Sequence, residues 1–347
     1  MQMKEYYVNK FMMFKSEDKE NLGELIKGLE TYISDSKYDA QLDLILHGFK
    51  ILEVEYKANN FDDCCKVSAP IFELLKTMDW GWLELQVLSC AIGNIQNYKN
   101  GVELMEKAFG ILDKDFAGHK SYEVTKFRYN INFSLRLLRA KYYDNPDPEE
   151  IQAEFDQCIN AALAACEKLR FGTFKLVLLV RKALFYGEAD DVVAHVHELE
   201  KTRDKVWIAT TKDEVVEYFQ ALGDNLNNDL KNLAIGHQIR KRRKELGLKV
   251  KDLAVAVGTA TSVVYEFESG ARGVSNTRLC SVAQTLKAEL AYFFGGSDKK
   301  VPGAVTDVAA HKVVQLMSNM SEPQKEYIVA FIRDFIQFNE AKESQQS

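Results

Sequence analysis

Proline is scarce in this chain: five in 347 residues, at 70, 146, 148, 302 and 323. Proline interrupts helices, so its scarcity, with plentiful Leu, Ala, Lys and Glu and few alternating apolar/polar runs, predicts a nearly all-α protein built from long helices. No stretch approaches the roughly 18 apolar residues of a membrane span. The N-terminal MQMKEYYVNKFMMFKSEDKE lacks the uninterrupted apolar core of a signal peptide. These absences predict a cytoplasmic protein with no membrane partner. The six cysteines, at 64, 65, 90, 158, 166 and 280, include no Cys-x-x-Cys pair, and most sit on apolar helix faces. That pattern fits reduced core thiols better than a disulfide framework or a zinc site.

Catalytic signatures are missing as well. The sequence holds no Walker loop, no His-Glu-x-x-His, no nucleophile elbow and no Gly-x-Gly-x-x-Gly turn. His195 and His197 would stand about 200° apart on a helix, unsuited to holding one metal, and His47, His119, His237 and His311 have no obvious partners in sequence. The expectation is a protein that is not an enzyme and takes no metal or cofactor.

Charge, by contrast, is concentrated. Residues 232–297 carry ten Lys/Arg against five Asp/Glu, a net of +5 in a chain whose total is −6. Residues 298–347 carry −1, which leaves −10 on residues 1–231. One basic module on an acidic body is the electrostatic pattern of a protein that touches nucleic acid through a single domain.

The first 225 residues read as a string of antiparallel helix pairs. Apolar residues recur at helical spacing in Leu42, Ile45, Phe49, Leu52 and Tyr56; in Leu85, Leu88, Ile92 and Ile95; and in Val102, Met105, Phe109 and Leu112. Polar turns at 58–62, 97–100, 144–147 and 187–190 begin roughly 40 residues apart, the spacing of helical-hairpin repeats stacked into a solenoid. Asn and Asp crowd residues 224–229, where a domain boundary is expected. A second break falls at 295–298 and continues to Pro302-Gly303, and beyond it 305–319 and 322–339 read as two further helices. The expected organisation is a helical-repeat domain over 1–225, a basic domain over 232–297 and C-terminal helices over 304–342.

The basic domain carries the clearest motif. Its residues Ile235-Gly236, Ile239-Arg240, Arg243-Lys244-Glu245, Gly247-Leu248, Leu253-Ala254, Gly258, Val264, Glu268, Gly270, Leu279 and Val282-Ala283 stand at the spacings of a DNA-reading helix-turn-helix. Leu253, Ala254 and Val257 pin the first helix of the motif. Gly258 ends it in a left-handed cap, and the helix over 260–268 is expected in the major groove, with Val264 and Phe267 facing the core.

Over about 60 residues this segment resembles the phage-repressor-like (Cro/CI, or Xre) family, a five-helix domain. By position in such a domain, Thr261, Ser262, Tyr265 and Glu266 are the base-reading candidates. Arg240, Lys241, Lys244, Lys249, Lys251, Arg272, Asn276 and Arg278 are candidates for phosphate, setting register and affinity. The resemblance pairs Arg243 with Glu268 as a buried ion pair. Two departures stand out: Lys249-Val250 replaces the usual Ser-Gln, and Glu266 stands where a neutral or basic residue is more usual.

The 1–225 region resembles a degenerate tetratricopeptide array. Joined to this helix-turn-helix, it resembles the peptide-pheromone-responsive regulators of Gram-positive bacteria and their phages (Rap, Rgg and PlcR relatives), with the domain order reversed. That resemblance implies a quorum-sensing peptide or partner protein held on the concave face, with Asn94, Asn130, Asn132 and Arg136 as candidate contacts. The apolar C-terminal segment, with Val308, Leu316, Tyr327, Phe331, Phe335 and Phe338, is expected to pack on the basic domain or on its copy in a homodimer. The expected function is a DNA-binding transcriptional regulator acting on double-stranded DNA; a protein-interaction scaffold or antitoxin-like protein is the alternative class.

Overall fold

The computed structural model describes residues 2–14, 21–57, 61–144, 146–219 and 227–294. Their regular structure is entirely helical. Eleven helices precede the basic segment: α1 Gln2–Met12, α2 Leu22–Asp35, α3 Ala40–Lys57, α4 Phe61–Thr77, α5 Trp82–Ala91, α6 Tyr98–Asp115, α7 Tyr122–Tyr143, α8 Pro148–Leu169, α9 Gly172–Tyr186, α10 Ala189–Lys201 and α11 Lys205–Phe219. Helix α3 packs on α4, α7 on α8 and α9 on α10 as three helix pairs.

The local chemistry of the helix ends sets the turns of two pairs. Asp147 caps α8, its carboxylate accepting from the N–H groups of Glu149 and Glu150 at 3.0 Å each, and Pro148 occupies the first helical position, where no N–H is needed. At the turn of the next hairpin, α9 stops at Gly187 in the left-handed region. Across the hairpins a continuous apolar interior runs from Tyr7 in α1 to Tyr218 in α11. The rings of Phe155 and Phe185 stack in it with centroids 3.9 Å apart.

Helix α5 ends earlier than its apolar periodicity predicts. Leu85 and Leu88 lie on α5, but Ile92 falls in a 3-10 turn, Ile92–Asn94, and Ile95 lies beyond it; all four are buried. The reason is where the carbonyls of this stretch find donors. Asn132 Nδ2 donates to the Ser89 carbonyl at 2.8 Å, Ser68 Oγ to Asn94 at 3.1 Å, and Arg136 Nε to Ile95 at 2.6 Å, with Arg136 Nη2 on Gln96. Side chains from α4 and α7 thus satisfy carbonyls that a longer α5 would have satisfied itself. Helix α6, opened by Asn97 as N-cap, packs on α7.

The basic segment follows as α12 Asn228–Glu245, α13 Val250–Val257, α14 Thr261–Ser269, α15 Asn276–Thr285 and a 3-10 turn Leu290–Phe294. The Asn227 side chain caps α12 by accepting from Leu230 N–H at 2.7 Å. This helix serves two cores: Leu230 and Leu233 join the interior of the preceding helices, while Ile235 and Ile239 join a second apolar cluster with Leu253, Val264, Leu279, Val282, Leu286 and Phe293. Residues 1–296 form one unit. Residues 58–60 of the predicted turn at 58–62, residues 224–226 of the boundary at 224–229, the break at 295–303 and both C-terminal helices lie outside the described residues. Among the described residues no helix is long and apolar enough to cross a membrane.

Candidate nucleic-acid interface

Helices α13 and α14 form the helix-turn-helix. Lys249 precedes α13 and brings no side-chain cap, but its own N–H donates to Asp252 Oδ2 at 2.9 Å, which fixes the entry of the chain. At the other end Gly258 takes φ +67°, and Thr259 N–H reaches back to the Ala254 carbonyl at 2.9 Å. This closing pattern needs a left-handed residue, and glycine adopts that conformation without a Cβ clash. The chain then re-enters helix at Thr261.

Packing fixes the orientation of α14. Val264, Phe267 and Glu268 are buried, while Thr261, Ser262 and Tyr265 are exposed, Tyr265 at 59%. The buried side rests on α12 at very close range: a Cβ on Gly236 would lie 2.0 Å from the Phe267 carbonyl oxygen, so only glycine allows this approach.

Arg243 and Glu268 lock the two helices electrostatically. Arg243 Nε lies 2.5 Å and Nη2 2.8 Å from the two Glu268 carboxylate oxygens, and Nη1 donates to the Leu248 carbonyl at 2.8 Å. Both side chains are buried. The forked geometry satisfies both carboxylate oxygens and most of the guanidinium, which a buried pair requires.

Of the other cations, Arg240, Lys244, Lys249, Lys251, Arg272 and Arg278 are exposed, as is Asn276. Lys241 is placed differently from its neighbours. Its ammonium sits 2.9 Å from Asp213 Oδ1 on α11, and His237 Nε2 lies 3.1 Å from the same oxygen. Burial pushes Asp213 up, but the bonds from His237 and the charge of Lys241 more than reverse this and hold it below the usual carboxylate range. Burial also holds His237 below the usual imidazole value, against the pull of Asp213.

Glu266, the acidic residue on the reading helix, is answered within the domain: Arg272 Nη1 lies 3.2 Å from its carboxylate. Arg242, which no sequence pattern distinguished from its basic neighbours, turns inward instead. It donates to the Leu286 and Lys287 carbonyls at 3.1 and 3.2 Å, closing the end of α15. These carbonyls lie more than 40 residues away, so no local signal marks the inward turn.

The four residues expected to meet a ligand are placed by the structure within the packing of the helices. Asn94, Asn130 and Arg136 are buried, Arg136 completely. Arg136 also holds Asp144, and Asn130 donates to the Lys126 carbonyl at 3.0 Å. Asn132 spends its amide on Ser89. Arg136 and Asn132 thus tie α7 to α5 and the turn that follows it, while Asn130 bonds one turn back within α7 itself. Among the described residues no cluster of three or more His, Cys, Asp or Glu could hold a metal ion.

No curated protein and no solved structure matches the chain. Residues 239–293 match the helix-turn-helix family model, so this segment is a helix-turn-helix domain of the Xre type and supports a DNA-binding regulator in general terms.

Proposed function

We propose that the chain is a sequence-specific transcriptional regulator that binds duplex DNA as a homodimer, and that its helical body takes up a peptide or partner protein which modulates that binding. The observation that carries the DNA reading is the packing of α14: burial of Val264 and Phe267 leaves Thr261, Ser262 and Tyr265 exposed at the start of a helix flanked by unburied cations. In this reading Thr261, Ser262, Tyr265 and Glu266 meet base edges, and Arg240, Lys244, Lys249, Lys251, Arg272, Asn276 and Arg278 meet phosphates. Lys241 contributes less, because Asp213 holds it.

The body is read as a tetratricopeptide-like solenoid over 1–225. Short-turn hairpins and a strongly acidic balance over residues 1–231 support that reading. Dimerisation is assigned to 304–342. The test is fluorescence anisotropy of the full chain on DNA from its own upstream region, against a scrambled duplex, over a range of salt, with and without peptides from neighbouring genes. Tight, sequence-preferring binding with a steep salt slope supports the regulator; weak binding equal on both duplexes moves the reading to a protein-interaction scaffold. Light scattering that finds a monomer at micromolar concentration removes the homodimer.

A further inference from the structure

Among the described residues, three cations from two parts of the molecule stand near one another with no ion pair to a carboxylate. Arg240 and Lys244 are four residues apart on α12, hence on one face of it, and both are exposed. Helix α11 packs along α12 in the opposite direction: Asp213 bonds His237 and Lys241, while Val216, further along α11, packs on Ala234, earlier on α12, so the start of α11 lies toward the end of α12. There Lys205, the first residue of α11 and exposed, reaches Lys244 with its field. Burial first, then the charges of Arg240, Arg243 and Lys205, push the Lys244 ammonium below its usual range.

The nearby carboxylates are committed elsewhere. Asp204 accepts from Trp207 N–H at 3.2 Å and caps α11; Asp213 holds His237 and Lys241; Glu245 bonds Arg242; Glu268 is forked on Arg243. A lysine at the first position of a helix also faces the positive end of the helix dipole, a locally unfavourable placement. Like charges gathered at an unfavourable site are stabilised when an anion binds between them. The cluster adjoins α14, which packs on α12 and whose Glu268 is forked on Arg243, the residue before Lys244.

We propose that Lys205, on the helical body and outside the helix-turn-helix, completes a phosphate-binding cluster with Arg240 and Lys244, so that the body itself grips the backbone of the bound duplex. The inference rests on the DNA-binding reading above. Its consequence is that the DNA footprint extends past the helix-turn-helix and that any change in how α11 meets α12 alters affinity directly.

The experiment compares the full chain with Lys205→Ala, Lys205→Glu and, as a control for lost charge, Lys76→Ala on α4. Affinity is read on upstream and scrambled duplexes over a salt series. Lys205→Ala is expected to lower the magnitude of the slope of log K against log salt by about 0.9, the value for one phosphate contact on B-DNA, equally on both duplexes. Lys205→Glu should weaken binding further, and Lys76→Ala should leave the slope as it was. A Lys205→Ala slope equal to wild type, or one matched by Lys76→Ala, overturns the contact while leaving DNA binding intact. Wild type that binds neither duplex overturns both readings at once.

Discussion

The carboxylate of Asp213 on α11 holds the ammonium of Lys241 on α12 at 2.9 Å, and so ties the helical body to the helix-turn-helix at the base of its most basic run. A lysine held this way has already found its counter-ion. Replacing Lys241 with Ala is therefore expected to change the salt slope of DNA binding by less than half of what Arg240→Ala does, for which a drop of about 0.9 is expected. Equal drops for the two variants would show that Lys241 leaves Asp213 to meet DNA.

The Arg243–Glu268 pair predicts a sharp asymmetry between breaking it and replacing it. Glu268→Ala leaves a guanidinium buried without its partner and should cost about 3–5 kcal/mol, whereas Arg243→Met with Glu268→Leu, which removes both charges, should recover most of the loss. Thermal unfolding of the three proteins decides this. A single variant that unfolds like wild type would mean that water reaches the pair.

Arg136 carries the same logic into the body. Its removal in Arg136→Met orphans the Ile95 and Gln96 carbonyls, at about 1–3 kcal/mol for each group left unsatisfied and buried, so the melting temperature should fall with or without any peptide present. A variant with wild-type stability and altered peptide affinity would instead support Arg136 as a ligand contact.

Acid should loosen the junction between α11 and α12. Burial keeps the folded-state value of His237 below the ordinary 6.5, so between these two values the unfolded chain binds more protons than the folded one and stability falls as pH falls through that window. His47, half-buried and shifted the same way, acts in the same range, and Asp213 loses its contribution only at lower pH, below the ordinary carboxylate value. His237→Gln is expected to flatten the decline of melting temperature between pH 7 and pH 5 relative to wild type. An unchanged decline would assign it to His47 or to other groups.

Much of the reading domain was legible in the chain because its determinants are local. Gly258, Val264, Phe267 and the Arg243–Glu268 pair occupy fixed offsets that hold for one short motif, and each stands in the structure where the sequence placed it. The body yielded its hairpins through turn chemistry, as at Asp147-Pro148 and Gly187. The interior polar residues were not legible, because an Asn or Arg in a helix carries no mark of which face it occupies. Arg136 reaches carbonyls some 40 residues away, and that partnership exists only once α5 and α7 are packed. The same holds for Asp213, which gains meaning only from a helix more than 20 residues further along the chain.

Helix α12 places Leu230 and Leu233 in one apolar interior and Ile235 and Ile239 in the other. A gene fusion cut near residue 234 would sever a shared helix and leave an open apolar face on each fragment, so the helix-turn-helix is not a module that recombination can transplant by itself. Changes at the exposed positions of α14 leave that joint untouched, while the joint itself changes only when both halves change together.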